Sequence, residues 1–154
     1  MIDFGSSFIW KEKHNLSNIT PEYMPPEVLV EQNKSIPNIE NIYKDSNNWA
    51  IDVWSLGIII VEILEGIPIW LNYKCKIVNA KGKEVYKTGL LATKGRDYSK
   101  ILERQIEMKK RIGKICLNNG VENEDFTDLL ERMLDEEPLR RISPKEILKH
   151  DFLL

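Results

Sequence analysis

Residues Val53 to Leu64 constrain the fold of this chain more than any other stretch. Val53, Trp54, Leu56, Ile58, Ile59, Ile60, Val61, Ile63 and Leu64 cannot be gathered into one stripe of a helix. A helix of that kind belongs in the middle of a domain, although the density of β-branched residues also fits a buried strand. Gly66 followed by Pro68 supplies its stop. Ser55 and Glu62 interrupt the run, which falls short of the roughly 20 apolar residues that cross a bilayer, so no span is expected. With 154 residues, 42% of them hydrophobic, the remainder suffices to wrap this segment in one ordinary domain.

The flanking segments read as mostly helical. Ile2 to about Tyr23 is irregular and polar, a long loop of the kind that is usually functional or disordered. Pro25-Pro26-Glu27 opens a short helix through Leu29, because proline suits the first turn and an acidic side chain there suits the helix dipole. Residues 31 to 48, rich in Asn, Lys and Ser, read as an exposed connection. Cys75-Lys76-Ile77-Val78 and Glu84-Val85-Tyr86-Lys87 flank a turn-like Asn79-Ala80-Lys81-Gly82, the pattern of a small hairpin. Asp97 is placed to cap one long helix whose apolar positions are Tyr98, Ile101, Leu102, Met108, Ile112, Ile115 and Cys116, ended by Asn118-Asn119-Gly120. Phe126, Leu129, Leu130, Met133 and Leu134 fall at helical spacing, closed by Pro138. Ser143-Pro144-Lys145-Glu146 has capping-box form, with Ile142 placed to staple against Ile147.

Charge and cysteine content exclude several function classes. Lys and Arg total 22 against 24 Asp and Glu, a net charge of -2, so no broad basic field exists to hold nucleic acid or an anionic membrane. Residues 1 to 15 show neither a basic segment nor an apolar core of secretory type. Cys75 and Cys116 are far apart and lack ligand-like neighbours, which points to reduced thiols in an intracellular protein. His14 and His150 have no acidic or cysteine partner at metal-ligand spacing, and His150 is expected to pack and bond locally.

Four short signatures then follow one another in order. They are Asp3-Phe4-Gly5, Thr20-Pro21-Glu22-Tyr23-Met24-Pro25-Pro26-Glu27, Asp52-Val53-Trp54-Ser55-Leu56-Gly57, and Arg141 just past Pro138. Together they resemble the second half of a eukaryotic protein kinase domain of the serine/threonine type, from the D-F-G motif onward. Two positions depart from the family's wording: Ile19 stands where glycine is usual and Pro25 where alanine is usual. Ile2-Asp3-Phe4-Gly5-Ser6-Ser7 looks like the dual-specificity tyrosine-regulated group, whereas Thr20 to Glu27 is closer to serine/threonine kinases.

The resemblance implies a mainly helical C-terminal lobe, with residues 3–27 as the activation segment and 28–154 as the lobe's helices. Asp3 would bind the magnesium that bridges the ATP phosphates, Phe4 would pack between the lobes, and Gly5 would let the backbone switch. Thr20 and Tyr23 would belong to the substrate-docking segment, and Ser17 or Thr20 would be the phosphorylation sites. Glu27 and Arg141 would form a buried structural ion pair. Trp54 and Gly57 would be structural; Asp52 would accept hydrogen bonds from a catalytic loop, or serve locally as a helix N-cap. No room precedes Asp3 for the Gly-rich loop, the ATP-pairing lysine or the H-R-D loop, so no residue here is assigned general base or phosphate-binding lysine. The expected function is protein serine/threonine phosphorylation with ATP and magnesium in a full-length kinase, this fragment being inactive alone. The alternative is a non-catalytic, pseudokinase-like interaction module. The expected partners are a protein substrate or the missing N-lobe segment, with neither nucleic acid nor membrane. Part of the 53–64 helix would then be left uncovered, at roughly 1.5–3 kcal/mol per large apolar side chain, which makes the chain sticky or dependent on a partner.

Overall fold

A computed structural model describes residues 21–35, 39–44, 46–66, 74–88 and 98–154. The described elements are mainly helical: a 3-10 turn Pro21–Tyr23, α1 Pro26–Gln32, α2 Ile39–Lys44, α3 Ala50–Glu65, strands β1 Lys74–Val78 and β2 Glu84–Thr88, α4 Ser99–Lys109, α5 Ile112–Asn118, α6 Glu124–Met133, α7 Pro144–Ile147 and a closing 3-10 turn Asp151–Leu153. No described helix is long and apolar enough to cross a membrane.

The central apolar run is helical, and α3 is the element around which the others gather. Its end is set by Gly66, whose φ of 78° is left-handed and whose N–H returns to the Glu62 carbonyl, a conformation that glycine adopts without steric cost. Ala50, Ile51, Val53, Trp54, Gly57, Ile58 and Val61 are buried. Part of the helix is uncovered, as expected for this segment: Leu56, Ile59 and Ile63 are 47%, 41% and 75% exposed. With Asp52 they fall at i, i+4, i+7 and i+11, one continuous stripe of the helix left open.

Three apolar clusters surround α3. Trp54, Ile58 and Val61 pack with Met108, Ile112, Ile115, Cys116, Leu130 and Leu134. Ile51 joins Met24, Val28, Leu29, Ile42 and Ile101, and Val53 joins Leu129, Met133 and Ile142. Gly57 lets α3 and α6 approach: a Cβ there would lie 2.9 Å from both Cγ and Cδ2 of Leu134.

Residues 31–48 are not simply an exposed connection. They contain α2, and Glu31, Ile42 and Ser46 are buried; Ile42 supplies the apolar contact that ties α2 to the cluster around Leu29. The long helix expected after residue 97 is two helices, α4 and α5, with Tyr98 rather than Asp97 at the N-cap position. The break at Lys110-Arg111 lets Ile101 face the Met24 cluster while Ile112, Ile115 and Cys116 face Trp54. α6 ends at Met133, before Pro138.

The hairpin is antiparallel, with Cys75 opposite Lys87 and Val78 opposite Glu84. Its turn is held by the Asn79 side chain, which accepts from the N–H groups of Lys81 and Lys83, and by Gly82 at φ 76°. At the other end of the chain, both bonds of the capping box form: Glu146 N–H donates to Ser143 Oγ and Ser143 N–H to Glu146 Oε2. Ile147 packs against the cluster that contains Ile142.

Candidate functional site

The segment from Pro21 to Glu27, a 3-10 turn leading into the first turn of α1, is fixed at four points. The Tyr23 hydroxyl donates to Glu62 Oε2 at 2.7 Å. Ser55 Oγ shares its hydroxyl between the Tyr23 carbonyl and its own Ile51 carbonyl, both at 3.0 Å. One residue on, the Met24 carbonyl accepts from Gln105 Nε2 of α4 at 2.7 Å. Two successive carbonyls of the segment are thus gripped from two different helices. The fourth point is Glu27, in the first turn of α1.

Glu27 is held by Arg141, 114 residues away. Arg141 Nη1 donates to Glu27 Oε1 at 2.9 Å and Nη2 to Oε2 at 3.1 Å, a fork-to-fork contact. Its remaining N–H groups go to backbone: Nη1 to the Ala50 carbonyl at 2.7 Å, and Nε and Nη2 to the Asp135 carbonyl, both at 3.0 Å. A guanidinium has five N–H donors, and each has a partner here. The plane also lies over Trp54, 5.1 Å from its ring centre. A charge with none of its side-chain surface exposed is tolerable only when paired and fully hydrogen-bonded. One side chain therefore joins α1, the start of α3 and the 135–141 loop.

The D-V-W-S-L-G signature distributes its work along the first turns of α3. Trp54 fills the core, Ser55 grips Tyr23, and Gly57 admits Leu134. Asp52 is not the N-cap; Trp49 holds that position, because the helix begins three residues earlier, at Ala50. Asp52 stands in the first turn, beside Leu56 on the open stripe, and makes no hydrogen bond among the described residues. Partial desolvation raises its carboxyl above the ordinary aspartate pKa. The Tyr23 phenol is raised too, chiefly because its proton is engaged by Glu62 and secondarily by burial.

Asp3, Phe4, Gly5, Ser17, Thr20 and His14 lie outside the described residues. Among the described residues, no group of three or more His, Cys, Asp or Glu side chains is placed to hold a metal ion. His150 is buried, with Nε2 2.9 Å from Asp128 Oδ2, and Nδ1 accepts from the Phe152 N–H at 3.4 Å. Sequence reasoning missed Gln105 as a functional position. Its signal was a polar residue on the apolar face of α4, one turn beyond Ile101 and three residues before Met108. It is 1% exposed, and its Oε1 has no partner among the described residues.

Over 167 aligned residues the chain is 27% identical to the dual specificity protein kinase CLK1 of Homo sapiens, covering 99% of this chain and 32% of that protein. It is 28% identical to calcium-dependent protein kinase 3 of Oryza sativa subsp. japonica, covering 99% of this chain and 21% of that protein. It is also 28% identical to the mitogen-activated protein kinase PMK1 of Pyricularia oryzae, covering 98% of this chain and 41% of that protein. The chain thus spans well under half the length of these relatives. The protein kinase domain family matches residues 1–153, and the chain belongs to that family.

Proposed function

We propose that this chain is the C-terminal lobe of a protein serine/threonine kinase, and that it transfers the γ-phosphoryl group of ATP to a Ser or Thr hydroxyl when joined to an N-terminal lobe. The observation that carries the reading is the fixation of the Pro21–Glu27 segment: Tyr23 and Met24 carbonyls held by Ser55 and Gln105, and Glu27 locked to Arg141. A segment that docks a peptide beside a reacting hydroxyl must hold its own backbone still, since misplacement of the acceptor by about 1 Å costs on the order of 100-fold in rate. In this reading Thr20 and Tyr23 contribute to the docking surface, and Ser17 or Thr20 accepts a regulatory phosphate. Asp3 is the magnesium ligand, with Phe4 and Gly5 beside it. Magnesium and ATP supply the charge neutralisation and the phosphoryl group, and the residues of this lobe position the acceptor.

The open stripe Asp52, Leu56, Ile59 and Ile63 supports the need for a second part. Leu56, Ile59 and Ile63 keep 41–75% of their surface in water and so forfeit roughly half of the about 1.5–3 kcal/mol that full burial of each would give, still an appreciable share of a domain's margin of about 5–15 kcal/mol. The test uses the longest native reading frame that contains this chain, purified and given ATP, magnesium and a generic Ser/Thr protein substrate. Phosphoserine or phosphothreonine should form, and Asp3→Asn should abolish it. A native polypeptide that begins at Met1 and forms no phosphoprotein refutes the enzymatic reading and leaves a non-catalytic interaction module.

A further inference from the structure

The region between α5 and α6 carries a groove of about 460 Å³ whose lining includes Gly113, Leu117, Val121, Glu122, Glu124 and Glu131. It lies apart from the Pro21–Glu27 segment and takes no part in gripping it. Its volume falls within the roughly 300–1,000 Å³ of ordinary ligand pockets. Leu117 is 63% exposed at the groove, an aliphatic side chain held out on an otherwise amphipathic helix.

Gly113 is the informative residue. It stands at the second position of α5, just after Ile112, where helix formation does not call for a glycine. Neither usual justification applies. Its φ is not positive, and a Cβ built on it would meet nothing nearer than Thr127 Cγ2 at 3.9 Å, an ordinary contact. The absent side chain leaves space at the groove instead. No Lys or Arg lines the groove; of its carboxylates Asp128 is engaged by His150 and Arg132, whereas Glu122, Glu124 and Glu131 form no ion pair among the described residues. The helix dipole favours Glu124 at the start of α6, but gives no reason for Glu131 two turns later.

We propose that this groove docks a basic segment of a partner protein, one that seats an aliphatic side chain beside Gly113 and Leu117 and sets Lys or Arg against Glu122, Glu124 and Glu131. The proposal is independent of catalysis, because it uses no residue of the docking segment or the D-F-G motif. Charge complementarity of this kind steers association and weakens with salt, while the apolar seat sets the residence of the complex.

The probe is a short fluorescein-labelled peptide of lysine, arginine and leucine, with a matched peptide carrying glutamate at every basic position. Fluorescence anisotropy is read with the 154-residue chain. The basic peptide should bind and the acidic one should not, with affinity falling as sodium chloride rises. Gly113→Leu should weaken binding by about tenfold or more, equivalent to about 1.4 kcal/mol. Circular dichroism and thermal unfolding should show it folded and no less stable than the parent. Glu124→Lys/Glu131→Lys should weaken binding similarly. Ile63→Asn, on the open stripe of α3, should leave binding unchanged. Equal affinity of the parent and Gly113→Leu overturns the proposal, as does loss of binding in Ile63→Asn or no binding of the basic peptide at all.

Discussion

Replacing Arg141 by methionine tests the internal scaffold most directly. Methionine keeps much of the side-chain volume and removes the guanidinium, so five hydrogen bonds and the contact over Trp54 go together. The losses do not simply add. The Glu27 side chain is 13% exposed and can recover some water, whereas Ala50 is fully buried and its carbonyl loses the Arg141 donor. Breaking one side of a buried ion pair costs about 3–5 kcal/mol, and the partial rehydration of Glu27 points to about 4. For a domain of this size that is a fall in melting temperature of roughly 8–16 °C. Arg141→Lys keeps the charge but loses the planar fork, so about half the loss is expected. Glu27→Leu/Arg141→Met removes the stranded carboxylate and should be more stable than Arg141→Met alone by about 1–2 kcal/mol. The assay is urea unfolding followed by far-UV circular dichroism. A loss below about 1 kcal/mol for Arg141→Met, or a double variant whose cost equals the sum of the singles, refutes the reasoning.

Three further outcomes can be checked on the same material. Gly57→Ala should lower stability by about 1–2 kcal/mol in urea, since the new methyl collides with Leu134 and overpacking outweighs the gain in helix propensity; Gly113→Ala, with room for its Cβ, should raise stability by about 0.5–1 kcal/mol. In an ultraviolet titration compared with Tyr23→Phe, Tyr23 should ionise above the ordinary 10.0 of tyrosine. Because its folded value is raised, its stabilising contribution is complete below that ordinary value and is lost as pH rises through the folded one; Glu62→Gln should bring the titration back down. Ser143→Ala should cost about 1 kcal/mol at neutral pH. Glu146 is held below the ordinary glutamate value, chiefly by its hydrogen bonds with Ser143, so the part of the cap's contribution that involves the ionised carboxylate is present above the ordinary value and lost as pH falls through the lower folded one, while the Glu146 N–H bond to Ser143 Oγ remains. A parent and variant that differ equally at pH 7 and pH 2 would contradict that account.

Elements whose information is local were legible in the chain. The capping box at Ser143, the stop at Gly66, the asparagine-led hairpin turn and the helical spacing of α6 each follow from a few neighbouring residues. What failed depended on packing. Nothing within residues 31–48 announces that Ile42 will be drawn under α1, and the apolar spacing from Tyr98 to Cys116 is equally compatible with one helix or two. The Glu27 and Arg141 positions stood out because each sits in a recognisable stretch. Ser55 and Gln105 did not stand out as backbone anchors, because gripping a carbonyl requires only a hydroxyl or an amide in the right place and leaves no spacing rule behind.

The bond between Glu27 and Arg141 also sets a clock on synthesis. It joins residues 114 positions apart, and ribosomes add about 5–20 residues per second, so roughly 6 to 23 seconds separate the emergence of the two partners. Through that interval Glu27 has no cation from Arg141, the Ala50 carbonyl has no guanidinium donor, and Trp54 lacks Leu130 and Leu134 for much of it. The nascent chain therefore cannot complete its core helix by helix from the front. It closes late and from the back, and until Arg141 arrives the apolar α3 is a natural client for whatever chaperone waits at the exit.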